Sequence, residues 1–365
     1  MRTLSLALLV GSVSAFGLVP TRLLAVPRSG LGTSPTAVPA EVERWRGGAI
    51  AAQSLTFDDS YRSQITTLIP MLDARGLRGT FFLVSEWVDL MVWRSSWDDW
   101  GTVLRESGHE MASHSARHQE NYDLAGAIQG LTGLNAVDLA YELEHSKAQI
   151  RTQLGLPDGL VFAYPYSIFN PTVRAATANH YLAARAVSGA TVSATPADFY
   201  AIGSYAWEQT HTWQDMIVAT NTAIARGEWA VDMIHGCDGE GWSPPASTDY
   251  ALYFDHIKAQ SDLGVLWVAP FGEVVRYIKE RDAATVDGQG VHTAAVTSTQ
   301  PLPPTPVRLT ISFPAPAAWT TIQATDEGGQ PVPARIVQRN GLPYALVDVL
   351  PEAPGEVAEV TVSGS

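Results

Sequence analysis

Cysteine is nearly absent from this sequence. Among 365 residues there is one, Cys237, so a disulfide cannot form within the chain. The residues around Cys237 do not form the pattern that a cysteine nucleophile requires. We therefore expect Cys237 to be a small packing residue, and we expect the hydrophobic core to provide the stability of the fold.

Positive charge is also scarce. The chain has 23 Lys and Arg residues against 37 Asp and Glu residues, which gives a formal net charge of -14. Surfaces that bind nucleic acids or anionic membranes need clustered Lys and Arg. The composition therefore argues against both kinds of partner and favours a neutral or weakly cationic substrate.

Long apolar runs are missing beyond the N-terminus. The chain begins MRTLSLALLVGSVSAFGLV, with one arginine, an apolar run and then small residues, which is the pattern of a secretory signal peptide. The run falls short of the about 20 predominantly apolar residues that a membrane span needs. We predict a signal peptide at residues 1–25, cleaved after Ala15 or Ala25. The mature protein would be secreted, either extracellular or periplasmic, with no transmembrane span.

The rest of the sequence alternates between short apolar segments and amphipathic ones. After a linker rich in Pro, Ser and Gly at residues 26–40, strand candidates such as AIAAQSLTF and GTFFLV alternate with helix candidates such as SQITTLIPMLDARG. This alternation is typical of a parallel α/β architecture. About seven such units predict a barrel or an open wound sheet.

The pattern changes near residue 284. From there, short alternating apolar stretches such as VRLTISF and ARIVQR lie between Pro and Gly turns, which indicates an all-β segment. We therefore predict an α/β domain at residues 41–283 and a small β-rich accessory domain at residues 284–365.

Two groups of residues carry the chemistry. Asp58 and Asp59 end a strand candidate, where adjacent side chains point to opposite faces unless the chain turns, so the two carboxylates should have different roles. His114 and His118 are four residues apart, and on a helix or helical turn this spacing places both imidazoles on one face. Two histidines and one carboxylate form a three-ligand metal site that leaves a position for water.

Four motifs occur in order along the chain: LTFDDSY, SHSARH, FAYPYS and MIHG. Each follows a predicted strand, at the end where α/β barrels assemble their active sites. On these motifs, the chain from Glu41 to Asp282 resembles the polysaccharide deacetylases, carbohydrate esterase family 4, with their NodB homology domain. We therefore predict an α/β fold: a distorted (β/α) barrel of about seven strands, followed by a small C-terminal all-β domain.

The resemblance implies roles for the first two motifs. The catalytic base of the family falls on Asp58, and its metal-binding aspartate falls on Asp59. The family's H-[ST]-x-x-H motif falls on His114 and His118. With Asp59, these two histidines would hold a divalent ion, most often Zn²⁺.

The last two motifs imply a binding group and an acid. The backbone N–H of Tyr166 would help to bind an oxyanion, and His235 would be the general acid. Many family members carry an arginine in an R-x-P-Y motif that pairs with the base, whereas this sequence has Ala163 at that position. We predict that Arg185, in the strand candidate YLAARAV, replaces this arginine as the partner of Asp58.

The function implied is that of a secreted metal-dependent hydrolase that removes N- or O-linked acetyl groups from a carbohydrate polymer or oligosaccharide. Trp242, just after the MIHG motif, is the aromatic residue we expect to stack on a sugar ring. Two alternatives stay open. One is a carbohydrate-binding protein with a weakened or inactive barrel, which stays open because Ala163 replaces the arginine of the third motif, R-x-P-Y. The other is an amidohydrolase that acts on a small non-sugar amide.

Overall fold

The structure, a computed structural model, describes four parts of the chain, which are residues 40–90, 94–290, 292–354 and 356–365. The predicted signal peptide at residues 1–25 lies outside the described residues, as does the predicted linker up to residue 39. In the described ranges, no helix combines the length and the apolar character that crossing a membrane requires.

A curled parallel sheet forms the larger part of the fold. The strands up to residue 268 are β1 (Glu41–Val42), β2 (Ala51–Asp58), β3 (Gly79–Leu83), β4 (Glu110–Ser113), β5 (Phe162–Ala163), β6 (Ala184–Arg185), β7 (Tyr205–Ala206), β8 (Trp229–Ile234) and β9 (Leu266–Val268). Seven of them lie in the order β6-β5-β4-β3-β2-β8-β7, and β9 pairs with the start of β2. Every pairing in this sheet is parallel. The predicted α/β fold with a distorted barrel of about seven strands is confirmed.

Helices connect these strands. They are α1 (Ile69–Asp73), α2 (Trp97–Ser107), α3 (Ala136–Ala140), α4 (Ser146–Leu154), α5 (Pro171–His180), α6 (Trp213–Arg226), α7 (Ser247–Asp262) and α8 (Phe271–Ala283). A π-helical stretch, Gln64–Leu68, leads into α1, and a second one, Tyr141–His145, joins α3 to α4. Helix α2 starts at a capping box between Ser96 and Asp99 and ends at Gly108, whose φ of 67° is left-handed. Local sequence therefore sets both ends of this helix.

The central strand β2 is buried on both faces. All of its residues are buried, as expected for a parallel strand covered on both sides. On one face, the Phe57 ring stacks on the Phe81 ring with centroids 4.7 Å apart. Gly79 makes this possible, because a Cβ atom there would lie 2.7 Å from the Phe57 ring. The strand that leads to the two aspartates is thus fixed in the core.

The C-terminal strands form two antiparallel sheets. The strands are β10 (Ala284–Gly290), β11 (Thr293–Ser298), β12 (Leu309–Pro314), β13 (Ile322–Asp326), β14 (Pro331–Val332), β15 (Ala334–Arg339), β16 (Leu342–Val349) and β17 (Ala358–Gly364). Their orders are β1-β12-β16-β15 and β10-β11-β17-β13-β14. Both sheets contribute to one apolar cluster that includes Val296, Phe313 and Val347. The predicted all-β character is confirmed, while the domain boundary between residues 283 and 284 stays a prediction.

Candidate active site

The carboxyl ends of the parallel strands open into one cavity of about 620 Å³. Parallel strands bring the residues that follow them to the same edge of the sheet, which is where (β/α) barrels form their sites. Seven of the residues singled out from the sequence line this cavity, namely Asp58, Asp59, His114, His118, Tyr166, His235 and Trp242. The remaining lining residues are Trp87, Ile128, Tyr164, Ser167, Val187, Ala206, Glu208 and Met233. The four motifs therefore meet in space.

The two adjacent aspartates face the same cavity because the chain turns directly after β2. Asp59 and Ser60 have left-handed φ angles of 74° and 57°. Such angles are uncommon for residues other than glycine and persist where neighbouring groups hold them. Here Arg94 donates a hydrogen bond to the backbone carbonyl of Asp59, and the Ser95 hydroxyl donates one to that of Ser60 at 3.0 Å. The turn rotates the second carboxylate toward the first.

Asp59, His114 and His118 converge on one point. The Nε2 atoms of both histidines lie 3.6 Å from Oδ1 of Asp59, and the three donor atoms lie within 4.8 Å of one another. Two donor atoms bound tetrahedrally to one ion at about 2.1 Å are about 3.4 Å apart. Oδ1 of Asp59 is buried and has no hydrogen-bond partner in the described part of the chain. The donor set and its spacing therefore fit a divalent ion.

Both imidazoles are held neutral, as metal ligation requires. Burial lowers the pKa of His114 and of His118 to about 4, although the nearby carboxylates oppose this shift. Nδ1 of His114 lies 2.8 Å from the Ala163 carbonyl oxygen, and Nδ1 of His118 lies 3.1 Å from the Tyr166 hydroxyl. With a proton on each Nδ1, the two Nε2 lone pairs would be available to an ion beside Asp59. Partners of this kind commonly orient ligating histidines.

The expectation that His114 and His118 share a helical turn is wrong. They lie on the loop after β4, in which Ser115 and His118 have left-handed φ angles of 69° and 53°. The loop still places the two rings 4.8 Å apart. Each left-handed residue costs about 1–3 kcal/mol, which the surrounding contacts must offset. A strained loop, and not a helical turn, therefore brings the two imidazoles together.

Asp58 forms a buried ion pair with Arg185. Nη2 of Arg185 lies 2.5 Å from Oδ2 of Asp58, and both residues are 1% exposed. Burial by itself would raise the pKa of Asp58, but the nearby positive charges, that of Arg185 first, outweigh it and hold the pKa below its usual value. The other oxygen, Oδ1, has no hydrogen-bond partner among the described residues.

The sheet register places Arg185 directly beside Ala163. Residue 185 on β6 is the cross-strand neighbour of Ala163 on β5, the position at which the resemblance drawn from the motifs implies an arginine. Nη1 of Arg185 also donates to the Thr56 hydroxyl at 3.1 Å. The predicted partner is in contact with Asp58, and its role in catalysis stays a proposal.

His235 follows β8 and approaches the same centre. Its Nε2 lies 3.9 Å from Oδ2 of Asp59, and its Nδ1 is buried with no hydrogen-bond partner in the ranges that the structure describes. The Gln64 amide donates to the backbone carbonyls of both His235, at 2.7 Å, and Asp58, at 2.6 Å. Gln64 thus joins the ends of β8 and β2. The indole of Trp242 lies 5.4 Å from the His235 ring, at an interplanar angle of 65°.

Tyr166 lies in a short 3-10 helix after β5 and has a left-handed φ of 59°. Its side chain is partly exposed and covers His118, with ring centroids 4.5 Å apart. Its assignment as a donor to an oxyanion stays a prediction. Cys237 is buried in the core beside this region, and burial raises the pKa of its thiol to about 11, in keeping with a packing residue.

Several residues of the site belong to none of the four motifs. Trp87 packs on His118 with ring centroids 5.2 Å apart, and the Arg94 guanidinium lies 4.6 Å from the Trp87 ring. Glu208 lines the cavity wall. Each comes from a loop whose path depends on packing, so spacing along the sequence gave no signal for them.

The model of the polysaccharide deacetylase family matches residues 50–184. A gellan lyase from Bacillus sp is 25% identical over 345 residues, which are 86% of this chain and 13% of that protein, so the chain spans a small part of this relative.

Solved structures to which the chain is similar include two that match about three fifths of it. The Xyl-CE4 domain of a multidomain xylanase from the hindgut metagenome of Trinervitermes trinervoides is 21% identical, and the match covers 61% of this chain and 89% of that one with a TM-score of 0.42. A family 4 carbohydrate esterase from Streptomyces lividans is 19% identical, with 60% and 92% covered and a TM-score of 0.40. Over residues 50–184, which include Asp58, Asp59, His114 and His118, the chain is similar to the polysaccharide deacetylase family.

Proposed function

We propose that this protein is an exported, metal-dependent hydrolase that removes N- or O-linked acetyl groups from a carbohydrate polymer or oligosaccharide. One observation carries the proposal. Asp59, His114 and His118 converge on a single point in the cavity, with Asp58 and His235 beside them.

Oδ1 of Asp59 and the Nε2 atoms of His114 and His118 would hold the ion. One carboxylate and two neutral imidazoles are a donor set that zinc accepts in catalytic sites, and we propose Zn²⁺. A divalent ion in such a site supplies Lewis acidity and lowers the pKa of water.

Asp58 would accept a proton at Oδ1. Arg185 occupies the other oxygen at 2.5 Å and lowers the pKa of the carboxyl group, which keeps Asp58 ionised. A base must be ionised and must have a free oxygen within reach of the proton that it takes. The buried pair provides both conditions.

His235 would donate a proton to the leaving amine or sugar oxygen from Nε2, the ring nitrogen that lies toward Asp59. The backbone N–H of Tyr166 would stabilise negative charge on the acetyl oxygen, an interaction typically worth about 3 kcal/mol per donor. Apolar side chains on the cavity wall would exclude water around an acetyl group; they include Trp87, Ile128, Val187 and Met233.

The Asp58–Arg185 pair favours an enzyme over an inactive sugar-binding barrel. The alternative of an inactive barrel depends on the missing third-motif arginine, because a base without its charge partner would be protonated more easily when buried. Arg185 supplies that charge from the neighbouring strand.

The signal-peptide pattern at residues 1–25 supports export. We propose that the mature protein lies outside the cytoplasm. Expression of the full-length chain followed by cell fractionation and N-terminal sequencing tests this, and a cytoplasmic protein with an intact N-terminus would contradict it.

The purified protein with added zinc should release acetate from at least one acetylated glycan. A panel of acetylated chitooligosaccharides, peptidoglycan fragments and acetylated xylan separates amide from ester cleavage. A chelator and the substitution Asp58→Asn should each abolish the release, because the first removes the ion and the second removes the base. Absence of acetate from every acetylated glycan of the panel would contradict the proposal, as would turnover that neither treatment changes.

Trp242→Ala should weaken substrate binding. The side chain is 51% exposed beside His235, and loss of aromatic stacking typically costs about 0.5–1.5 kcal/mol. We therefore expect KM for an oligosaccharide to rise about threefold to tenfold with little change in kcat, as measured by acetate release. Trp319→Ala, at a tryptophan that packs on His292 in the β-rich segment, is the control. Equal KM values for wild type and Trp242→Ala would remove Trp242 from the binding surface.

A further inference from the structure

Glu142 contacts the loop between His114 and His118 without lining the cavity. It lies in the π-helical stretch Tyr141–His145, and its side chain is fully buried. Oε2 accepts a hydrogen bond from the backbone N–H of Arg117 at 2.8 Å, and Oε1 accepts one from Nε of the same residue at 2.6 Å. The backbone carbonyl of Glu142 accepts a third, from the N–H of Ala116 at 3.1 Å.

The opposite side of the loop is fixed to the residues that follow β3. The N–H of Ser85 donates to the Ser115 carbonyl at 3.2 Å, and the N–H of Glu86 donates to the Ala116 carbonyl at 2.9 Å. The loop is thus held from two sides. On the side of α3 and α4, Glu142 accepts hydrogen bonds from the loop backbone both through its side chain and through its carbonyl oxygen.

The loop needs this support because its backbone is strained. Ser115 and His118 are left-handed without being glycine, and such residues persist only where the surrounding structure fixes them. Arg117 is the residue directly before His118, so the hydrogen bond from its N–H to Glu142 restrains the peptide that leads into the second imidazole.

We propose that Glu142 is a positioning residue for the divalent-metal site, holding Arg117 so that Nε2 of His118 meets Nε2 of His114 at Asp59. The inference rests on the proposed function in one respect, that the site binds a metal ion. Groups that orient metal ligands typically contribute 10–100-fold to metal affinity. A buried glutamate with a merely structural role would affect folding stability and leave metal affinity unchanged.

The test is the zinc dissociation constant of the full chain, measured by competition with a chromophoric chelator. Glu142→Ala should weaken zinc binding about 10–100-fold. Glu142→Gln should weaken it less, because its amide oxygen still accepts the hydrogen bond from the Arg117 N–H. The cobalt(II) absorption spectrum of each variant reports in addition whether the ligand geometry has changed.

Glu280→Gln is the matched control. Glu280 is also a buried carboxylate, 2% exposed, and it accepts hydrogen bonds from a backbone N–H, that of Val307, at 3.0 and 3.1 Å. It does not line the cavity. Glu280→Gln should bind zinc with the wild-type dissociation constant, whatever its effect on thermal stability.

A wild-type zinc affinity in Glu142→Ala would overturn the inference, even if its melting temperature fell. Should Glu142→Ala fail to fold, Glu142→Gln decides: its amide NH2 group cannot accept the hydrogen bond from Nε of Arg117, so a wild-type zinc affinity in this variant would also overturn the inference. A wild-type chain that does not bind zinc would overturn the inference as well. A chain that binds zinc but deacetylates no glycan would contradict the proposed function alone.

Discussion

Arg185→Met should cost the protein both stability and activity. The substitution removes the cation from a pair in which both residues are 1% exposed, and it leaves Asp58 as an uncompensated buried carboxylate. Breaking one partner of a buried ion pair typically costs about 3–5 kcal/mol. Without the guanidinium, burial dominates and the pKa of Asp58 rises, so the carboxylate needed as a base is lost by protonation. Urea unfolding and acetate release measure the two effects.

The double variant Asp58→Asn/Arg185→Met separates these effects. Because it no longer contains an unpaired buried charge, it should recover part of the stability that Arg185→Met loses, and it should remain inactive without its base. Arg174→Met is the control, since the Arg174–Asp198 pair is similar in length, at 2.5 Å, but 41% and 31% exposed. Exposed pairs contribute about 0–1 kcal/mol. An Arg185→Met variant with near wild-type turnover would exclude a role for Arg185 in keeping the base ionised.

The position of Arg185 shows what a motif can and cannot predict. The sequence has Ala163 at the position where the resemblance implies an arginine, and it has Arg185 at the end of another strand candidate. Their proximity follows from the pairing of β5 with β6 in one particular register. Register depends on packing between strands that are far apart in sequence, so spacing alone could not establish the contact.

The loop from His114 to His118 brings the two imidazoles together through a conformation that their spacing does not predict. The four-residue separation of His114 and His118 suggested a helical turn, whose geometry brings such residues together. The chain instead uses left-handed angles at Ser115 and His118. Nothing in the letters SHSARH signals these angles, because the contacts that hold them come from Glu142 and from the residues after β3.

Secondary structure was predictable where a clear period extends over many residues. The segment at residues 136–155 has such a hydrophobic period and contains α3, a π-helical stretch and α4. Helix α7 is harder to predict, because its apolar stripe is weak, with Tyr250, Tyr253, Phe254 and Ile257 as its buried residues. The two-residue strand β7 is too short to show alternation, and only its pairing with β8 defines it.

Asp59→Asn should abolish activity without destabilising the metal-free protein. Oδ1 of Asp59 is buried without a hydrogen-bond partner in the part of the chain that the structure describes, so replacing the charge by a neutral amide removes a burial cost. With chelator present, its free energy of unfolding should equal or exceed that of wild type. Zinc at 100 times its dissociation constant should stabilise wild type by about 2.7 kcal/mol, and the variant should lose most of this gain.

The same substitution should lower kcat/KM at least about a thousandfold, because metal-assisted catalysis is typically worth several kcal/mol of transition-state stabilisation. Asp255→Asn, at a carboxylate that is 60% exposed, should keep both the zinc-dependent stabilisation and the activity. A variant Asp59→Asn that is still stabilised by zinc as strongly as wild type would show that the ion binds elsewhere. Stabilisation by zinc in wild type and its loss in Asp59→Asn would together show that the buried carboxylate serves to bind the ion.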